Sequence, residues 1–300
     1  VKLDALRTAS RQQKSFEFDR AKKSYDVMLY ADSDNAEALW GRLLCHYGAS
    51  LIREDAGQRR YAIHFPREGE KPLREHSDFL HACTLVEDAV REQWEQDAIY
   101  IENANRKILE LAKKKPIYDV FICHKTSPLD DPSAYTEDFG YAGELRERLM
   151  RLGYRVFFAP RDMKREAAGE DYEATIYHAL QTSRVMLVIC CRKEHLLSPW
   201  VQSEWQRFLE ASDRDERKRL IPLLYGMKDG ELPREFINRR IQGIDMQGDG
   251  YALVERAVAK VVRSPRQRLL RGVALTSALL ILAGGGVYAY VLYSQNKRKA

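Results

Sequence analysis

From residue 117 onward, short apolar runs alternate with amphipathic stretches. IYDVFIC (117–123), YRVFF (154–158), RVMLVICC (184–191), RLIPLLY (219–225) and IDM (244–246) read as strands. The third is apolar throughout, the pattern of a strand covered on both faces. Between them lie helical patterns. One runs from about 137 to 152 and stops at Gly153. A second opens in GEDYEATIYHAL (169–180). A third is PWVQSEWQRFLEA, with Ser198 as N-cap and Pro199 at N1. YALVERAVAKVV closes the series. Such alternation predicts an α/β fold with a parallel sheet. Five strands suggest the flavodoxin-like order, with a crevice where the first and third strands of the unit diverge.

Upstream, the apolar positions recur at helical spacing. FDRAKKSYDVMLY places Ala21, Tyr25, Met28 and Leu29 on one face. DSDN makes a turn in which Asp34 or Asn35 caps the next helix, AEALWGRLLCHYG, which ends at Gly48. Two helices so joined resemble one tetratricopeptide unit; a single such unit needs neighbours to bury its core. Residues 53–73 are charged and irregular. A long amphipathic helix over about 76–114 follows, with Val86, Val90, Trp94, Ala98, Ile101, Ile108 and Ala112 as its packing stripe. It stops at AKKKP, cations and then proline. The expected organisation is a small all-α region over 1–115, an α/β domain over 116–262, a basic linker over 263–271, a membrane helix over 272–293 and a basic tail over 294–300.

The membrane expectation rests on GVALTSALLILAGGGVYAYVLY, 22 residues without a charge. As a helix it is about 33 Å long, enough to cross a bilayer core. Tyr288, Tyr290 and Tyr293 gather towards one end, where interfacial aromatics belong. Its glycines, 284–286, suit close helix packing. Four Arg precede the segment and three cations follow it, a bias that puts the N-terminal side in the cytoplasm. The charge agrees. The chain carries a net +5, but seven positive charges and no acid lie in 263–300, so residues 1–262 carry −2. The basic excess thus marks a membrane flank, not a nucleic-acid surface. The opening VKLDALRTASRQQK is too polar for a leader sequence.

Cys45, Cys83, Cys123, Cys190 and Cys191 form no CxxC pair. They are expected to be reduced thiols, several of them buried, with no metal site. No phosphate-cradling glycine loop is present. The remaining chemical feature is the triplet Glu170, Asp171 and Glu173 in GEDYE. Acids in a helix's first turn complement its dipole. That account suffices for Glu170 and Asp171.

YDVFICHK, LGYRVFFAPRDM, GEDYEATIYHALQTSRVMLVIC and SPWVQSEWQRFL, in that order, resemble the successive boxes of Toll/interleukin-1 receptor (TIR) domains. The likeness runs from about 117 to 262 and leans towards the bacterial members. Many members of that family cleave NAD+ between nicotinamide and ribose, with NAD+ as substrate and no other cofactor; others serve as assembly modules. The resemblance gives Glu173 the position of the cleaving members' essential glutamate. It maps the family's nucleotide-shaping loop onto 159–169, including Arg161 and Asp162, which read equally as a solvated loop pair. His124 and Lys125, at the end of the first strand of the domain, either touch the nucleotide phosphates or line the pocket. HKTSPLDD departs there from the family's usual Ser or Tyr followed by an acid. Trp200 is either core or a stacking surface for a base.

The resemblance therefore implies a membrane-anchored NAD+ nucleosidase with its TIR domain in the cytoplasm, completed by self-association and acting in defence. The helical region would take an unidentified protein partner. Two rivals remain: a non-enzymatic TIR adaptor, and a nucleoside deoxyribosyltransferase-like enzyme using a carboxylate nucleophile.

Overall fold

The computed structural model describes residues 2–15, 17–55, 58–64, 66, 69, 71–128, 131, 133–159 and 170–262. Arg161 and Asp162 lie outside the described residues, as do the linker, membrane and tail segments expected over 263–300. Among the described residues no helix is long and apolar enough to cross a membrane.

The first part of the chain forms α1 (Lys2–Lys14), α2 (Phe18–Ala31), α3 (Ala36–His46), the strands β1 (Ala49–Asp55) and β2 (Gln58–Ile63), then α4 (Ser77–Thr84) and α5 (Asp88–Ala112). Asn35 caps α3, its side chain accepting from the Ala38 amide at 3.0 Å. Two expectations need correction. The region is not all-α, because β1 and β2 pair as an antiparallel hairpin. Its inward positions Ala49, Leu51, Tyr61 and Ile63 join the helical core, and the charged residues between them gave the stretch its irregular look. The long helix expected over 76–114 is two helices. The first ends where the Thr84 hydroxyl donates to the His81 carbonyl at 2.7 Å, and the second starts after an extended Glu87. Stacked Trp40 and Trp94, with centroids 5.3 Å apart, centre this core.

The second part forms β3 (Val120–Cys123), α6 (Glu137–Arg151), β4 (Val156–Phe157), α7 (Glu170–Thr182), β5 (Val185–Cys190), α8 (Lys193–Leu196), α9 (Pro199–Arg214), β6 (Arg219–Leu224), α10 (Arg234–Asn238), β7 (Ile244–Asp245) and α11 (Gly250–Val261). All four strand pairings are parallel and the sheet order is β4-β3-β5-β6-β7. This is the expected doubly wound arrangement, with the reversal of order at β3 and β5. Alternate residues serve the two faces. Val120, Ile122, Val185, Leu187 and Ile189 pack under α6 and α11, while Phe121, Cys123, Met186, Val188 and Cys190 pack under α7 and α9. Every residue of β3 and β5 is buried, which is why both read as unbroken apolar runs.

Helix α7 belongs to both cores. Ile176, Ala179 and Leu180 pack on the sheet, while Ala174 and Tyr177 pack on the helical region beside α5. Buried Lys218 holds its C-terminal end, donating from Nζ to the carbonyls of Leu180, Gln181 and Ser183 at 3.0, 2.9 and 2.6 Å. The face that carries position 173 therefore looks towards the other part of the molecule.

Candidate functional site

Glu173 ends the first turn of α7 and is 5% exposed. Its Oε1 lies 2.7 Å from Nδ1 of His64, the residue that follows β2. In the tautomer that carries its proton on Nδ1, His64 donates to this carboxylate oxygen. Oε2 has no hydrogen-bond partner among the described residues. The His64 ring meets Trp200 edge-on at 5.7 Å between centroids, and Trp200 tilts against Tyr172 at 6.0 Å. Burial, with the charges of Glu204 and Glu173 nearby, pushes the Tyr172 hydroxyl up.

A second carboxylate stands behind this group. Glu204, 3% exposed, accepts from Trp200 Nε1 at 2.8 Å. Burial pushes its pKa up to about 8, against the lowering effect of bonds from Cys123 and Trp200, with the Glu173 charge adding to the rise. At neutral pH Glu204 is thus largely protonated. It fixes the Trp200 indole behind Glu173.

On the other side of the C-terminal end of β3 lies an open cleft of about 470 Å³, lined by Lys125, Tyr135, Thr136, Arg192, His195 and Ser198, among others. It sits where β3 and β5 diverge, the position at which α/β sheets take ligands. The Thr136 hydroxyl donates to the Lys125 carbonyl, pinning that loop to the start of α6. His195 Nδ1 is 2.8 Å from Oδ1 of fully buried Asp138. Burial pulls the Lys125 ammonium down, opposed by Asp138.

The residues singled out in the sequence are therefore divided. Glu173 and Trp200 come together through His64 and Tyr172. Lys125 faces the cleft. His124 is buried, stacked on Phe158 with centroids 4.9 Å apart, and burial pushes its imidazole down to about 4. It carries no charge to offer a phosphate at neutral pH. Arg161 and Asp162 are outside the described residues. Sequence reasoning missed His64, Glu204, Asp138 and His195. Glu204 had a signal, since Trp200 and Glu204 are four residues apart on one helix and so share a face. His64 had none: its partner lies 109 positions away.

Burial pushes the Cys123 and Cys190 thiols well up, which suits packing and not nucleophilic chemistry. Among the described residues no group of His, Cys, Asp and Glu is arranged to hold a metal ion.

Comparison with known proteins agrees with the α/β architecture. A family model described as "TIR domain" matches residues 120–261, so the sheet unit is a TIR domain. No curated protein matches the chain significantly. Similar solved structures include a metazoan TIR-STING receptor from C. gigas, at 18% identity and TM-score 0.33, covering 49% of this chain and 41% of that one. The TIR domains of the activated Roq1 resistosome, which directly recognizes the pathogen effector XopQ, match at 19% identity and TM-score 0.28, covering 48% of this chain and 82% of theirs. The chain thus spans about two fifths of the receptor's length.

Proposed function

We propose that this TIR domain hydrolyses NAD+ at the nicotinamide–ribose bond, with Glu173 as its reacting carboxylate. The observation that carries the reading is the placement of Glu173: a buried carboxylate ending the first turn of α7, flanked by Trp200 and Tyr172 and backed by a fixed Glu204. As the ribosyl C1′–N bond breaks, its electron pair goes to the pyridinium nitrogen and nicotinamide leaves neutral. No general acid is needed. The positive charge left on the ribose is oxocarbenium-like, and a fixed carboxylate in a water-poor pocket stabilises it. Water then adds at C1′ and gives its proton to solvent. Trp200, its indole held by Glu204, offers a stacking face for the departing ring. The cleft beside Lys125 holds cations and acids together, with Arg192 paired to Glu137 at 2.8 Å and Glu194 also in the lining, so a pyrophosphate there would have to displace Glu137 from Arg192.

The wider reading is a protein anchored through 272–293 with its TIR domain in the cytoplasm. Self-association completes the site, an unidentified protein partner engages the helical region, and NAD+ depletion serves defence. Free nicotinamide released from NAD+ by the full chain, dilute and then clustered on a lipid surface, tests the chemistry. Release by the wild type and none by Glu173→Gln is expected. No release in any assembled state sinks the enzyme reading.

One observation favours a second reading. Glu173 is 5% exposed and its Oε1 is taken up by His64. A TIR adaptor that works by docking alone needs no approach. Self-association that survives Glu173→Ala, without NAD+ turnover, would favour it.

A further inference from the structure

The hydrogen bond to Glu173 Oε1 comes from outside the TIR domain. His64 closes the β1–β2 hairpin, and its side chain reaches across the boundary between the two cores to the carboxylate. The two side chains are 10% and 7% exposed. Substrate hydroxyls must come within roughly 3 Å of a carboxylate oxygen to be bound. The His64 N–H already occupies that place on Oε1, and Trp200 and Phe18 flank its ring at 5.7 and 6.0 Å.

The position of His64 is enforced by the backbone. Its amide donates to the Gly48 carbonyl at 2.8 Å. Gly48 has φ +60, and a Cβ there would come within 2.0 Å of the His64 carbonyl oxygen, so only glycine lets the hairpin close this tightly after α3. From the other side, Asp97 of α5 is 2% exposed and accepts from the Tyr61 hydroxyl at 2.9 Å and Arg59 Nη1 at 3.2 Å, tying β2 down three residues before His64. Helix α7 meanwhile packs on α5 through Ala174 and Tyr177.

We infer that the β1–β2 hairpin is an autoinhibitory plug: His64 holds Glu173 in an occluded resting state, and movement of the helical region away from α7 releases it. This rests on the reading of Glu173 as the reacting carboxylate. It also gives the helical region a task, because any partner that draws the hairpin away from α7 frees the carboxylate.

The test uses the full chain with His64→Ala and His64→Gln, whose amide can still donate, beside the wild type and Glu173→Gln. Nicotinamide release from NAD+ is measured without clustering, and hydrogen exchange is followed over 170–178 and 185–190. His64→Ala should raise release about tenfold or more, the scale of one hydrogen bond to a charged group, with His64→Gln in between. Exchange over 170–178 should quicken while β5 stays protected. Release unchanged, or reduced to the level of Glu173→Gln, overturns the plug; the latter would make His64 a positioning residue for catalysis. If no protein releases nicotinamide even when clustered, the enzyme reading fails, and exchange decides the plug separately. Faster exchange over 170–178 in His64→Ala keeps the contact as a latch on α7, and unchanged exchange removes it.

Discussion

Among the described residues, two histidine–carboxylate pairs with a buried carboxylate have nearly equal geometry. His195 Nδ1 meets Asp138 at 2.8 Å, and His64 Nδ1 meets Glu173 at 2.7 Å. In the first pair both partners belong to the TIR domain, α8 to the start of α6, and the histidine borders an open cleft. In the second the histidine comes from the helical region and closes over the carboxylate. The same chemical bond thus serves different ends. A pair inside one domain fixes local structure for as long as that domain is folded. A pair across a boundary reports whether the two parts are docked, and can be broken without unfolding either.

The largest effect that sharpens this contrast is expected at Asp97. It is buried and accepts from Arg59, Tyr61 and Gln93. Asp97→Ala strands those donors and should cost about 3–5 kcal/mol in the helical region, as for other broken buried ion pairs. Urea unfolding followed by hydrogen exchange should show the loss over 58–64 and 88–112, with faster exchange at 170–178. Exchange at 193–196 should not change. Equal loosening at both pairs would show that the two parts form one cooperative unit and would break the comparison.

Asp138→Ala is the reciprocal experiment. It removes a fully buried carboxylate from the first turn of α6, where it faces His195 and favours the helix N-terminus. A loss of about 2–3 kcal/mol is expected, smaller because His195 is partly solvated beside the cleft. It should be confined to the TIR domain, leaving exchange over 58–64 as in the wild type. Loss spread evenly over both parts would again count against separable pairs.

Much of the TIR domain was legible because its strands are buried on both faces. Val185–Cys190 admits no polar residue, and its burial is complete. Helix boundaries also announced themselves, as at Asn35 and at Pro199. The hairpin was hidden for the opposite reason. Charged residues are interspersed along its sequence, so only alternate positions such as Tyr61 and Ile63 carry the signal, and a bulge between Leu51 and Arg53 breaks the period. Placing Glu173 at the start of a helix needed only local pattern and family resemblance. Its cover by His64 is a tertiary contact with no periodicity behind it, and nothing in GEDYE foretells it. The cluster is also where ordinary rules are strained, with one carboxylate oxygen unpartnered among the described residues and a second acid buried nearby, as functional sites often show.

That second acid supplies the smallest and most specific effect. The folded pKa of Glu204 is raised to about 8 from an ordinary 4.5, chiefly by burial. Between those values the folded state holds a proton that the unfolded chain has released. Stability contributed by this group is therefore greatest at low pH, and falls as pH rises through the window. The slope is on the order of 1 kcal/mol per pH unit between about 5 and 8. Glu204→Gln keeps an acceptor for Trp200 Nε1 and cannot ionise, so it should flatten that slope while leaving stability near pH 5 close to wild type. Urea midpoints at pH 5, 6.5 and 8 measure this directly. A wild-type slope that persists in Glu204→Gln would assign the titration to another group. If the slope disappears, Trp200 is held by a neutral acid, and the two pairs differ in surroundings as well as in origin: Asp138 is matched within its own domain, while Glu173, backed by that acid, is matched only as long as His64 stays docked.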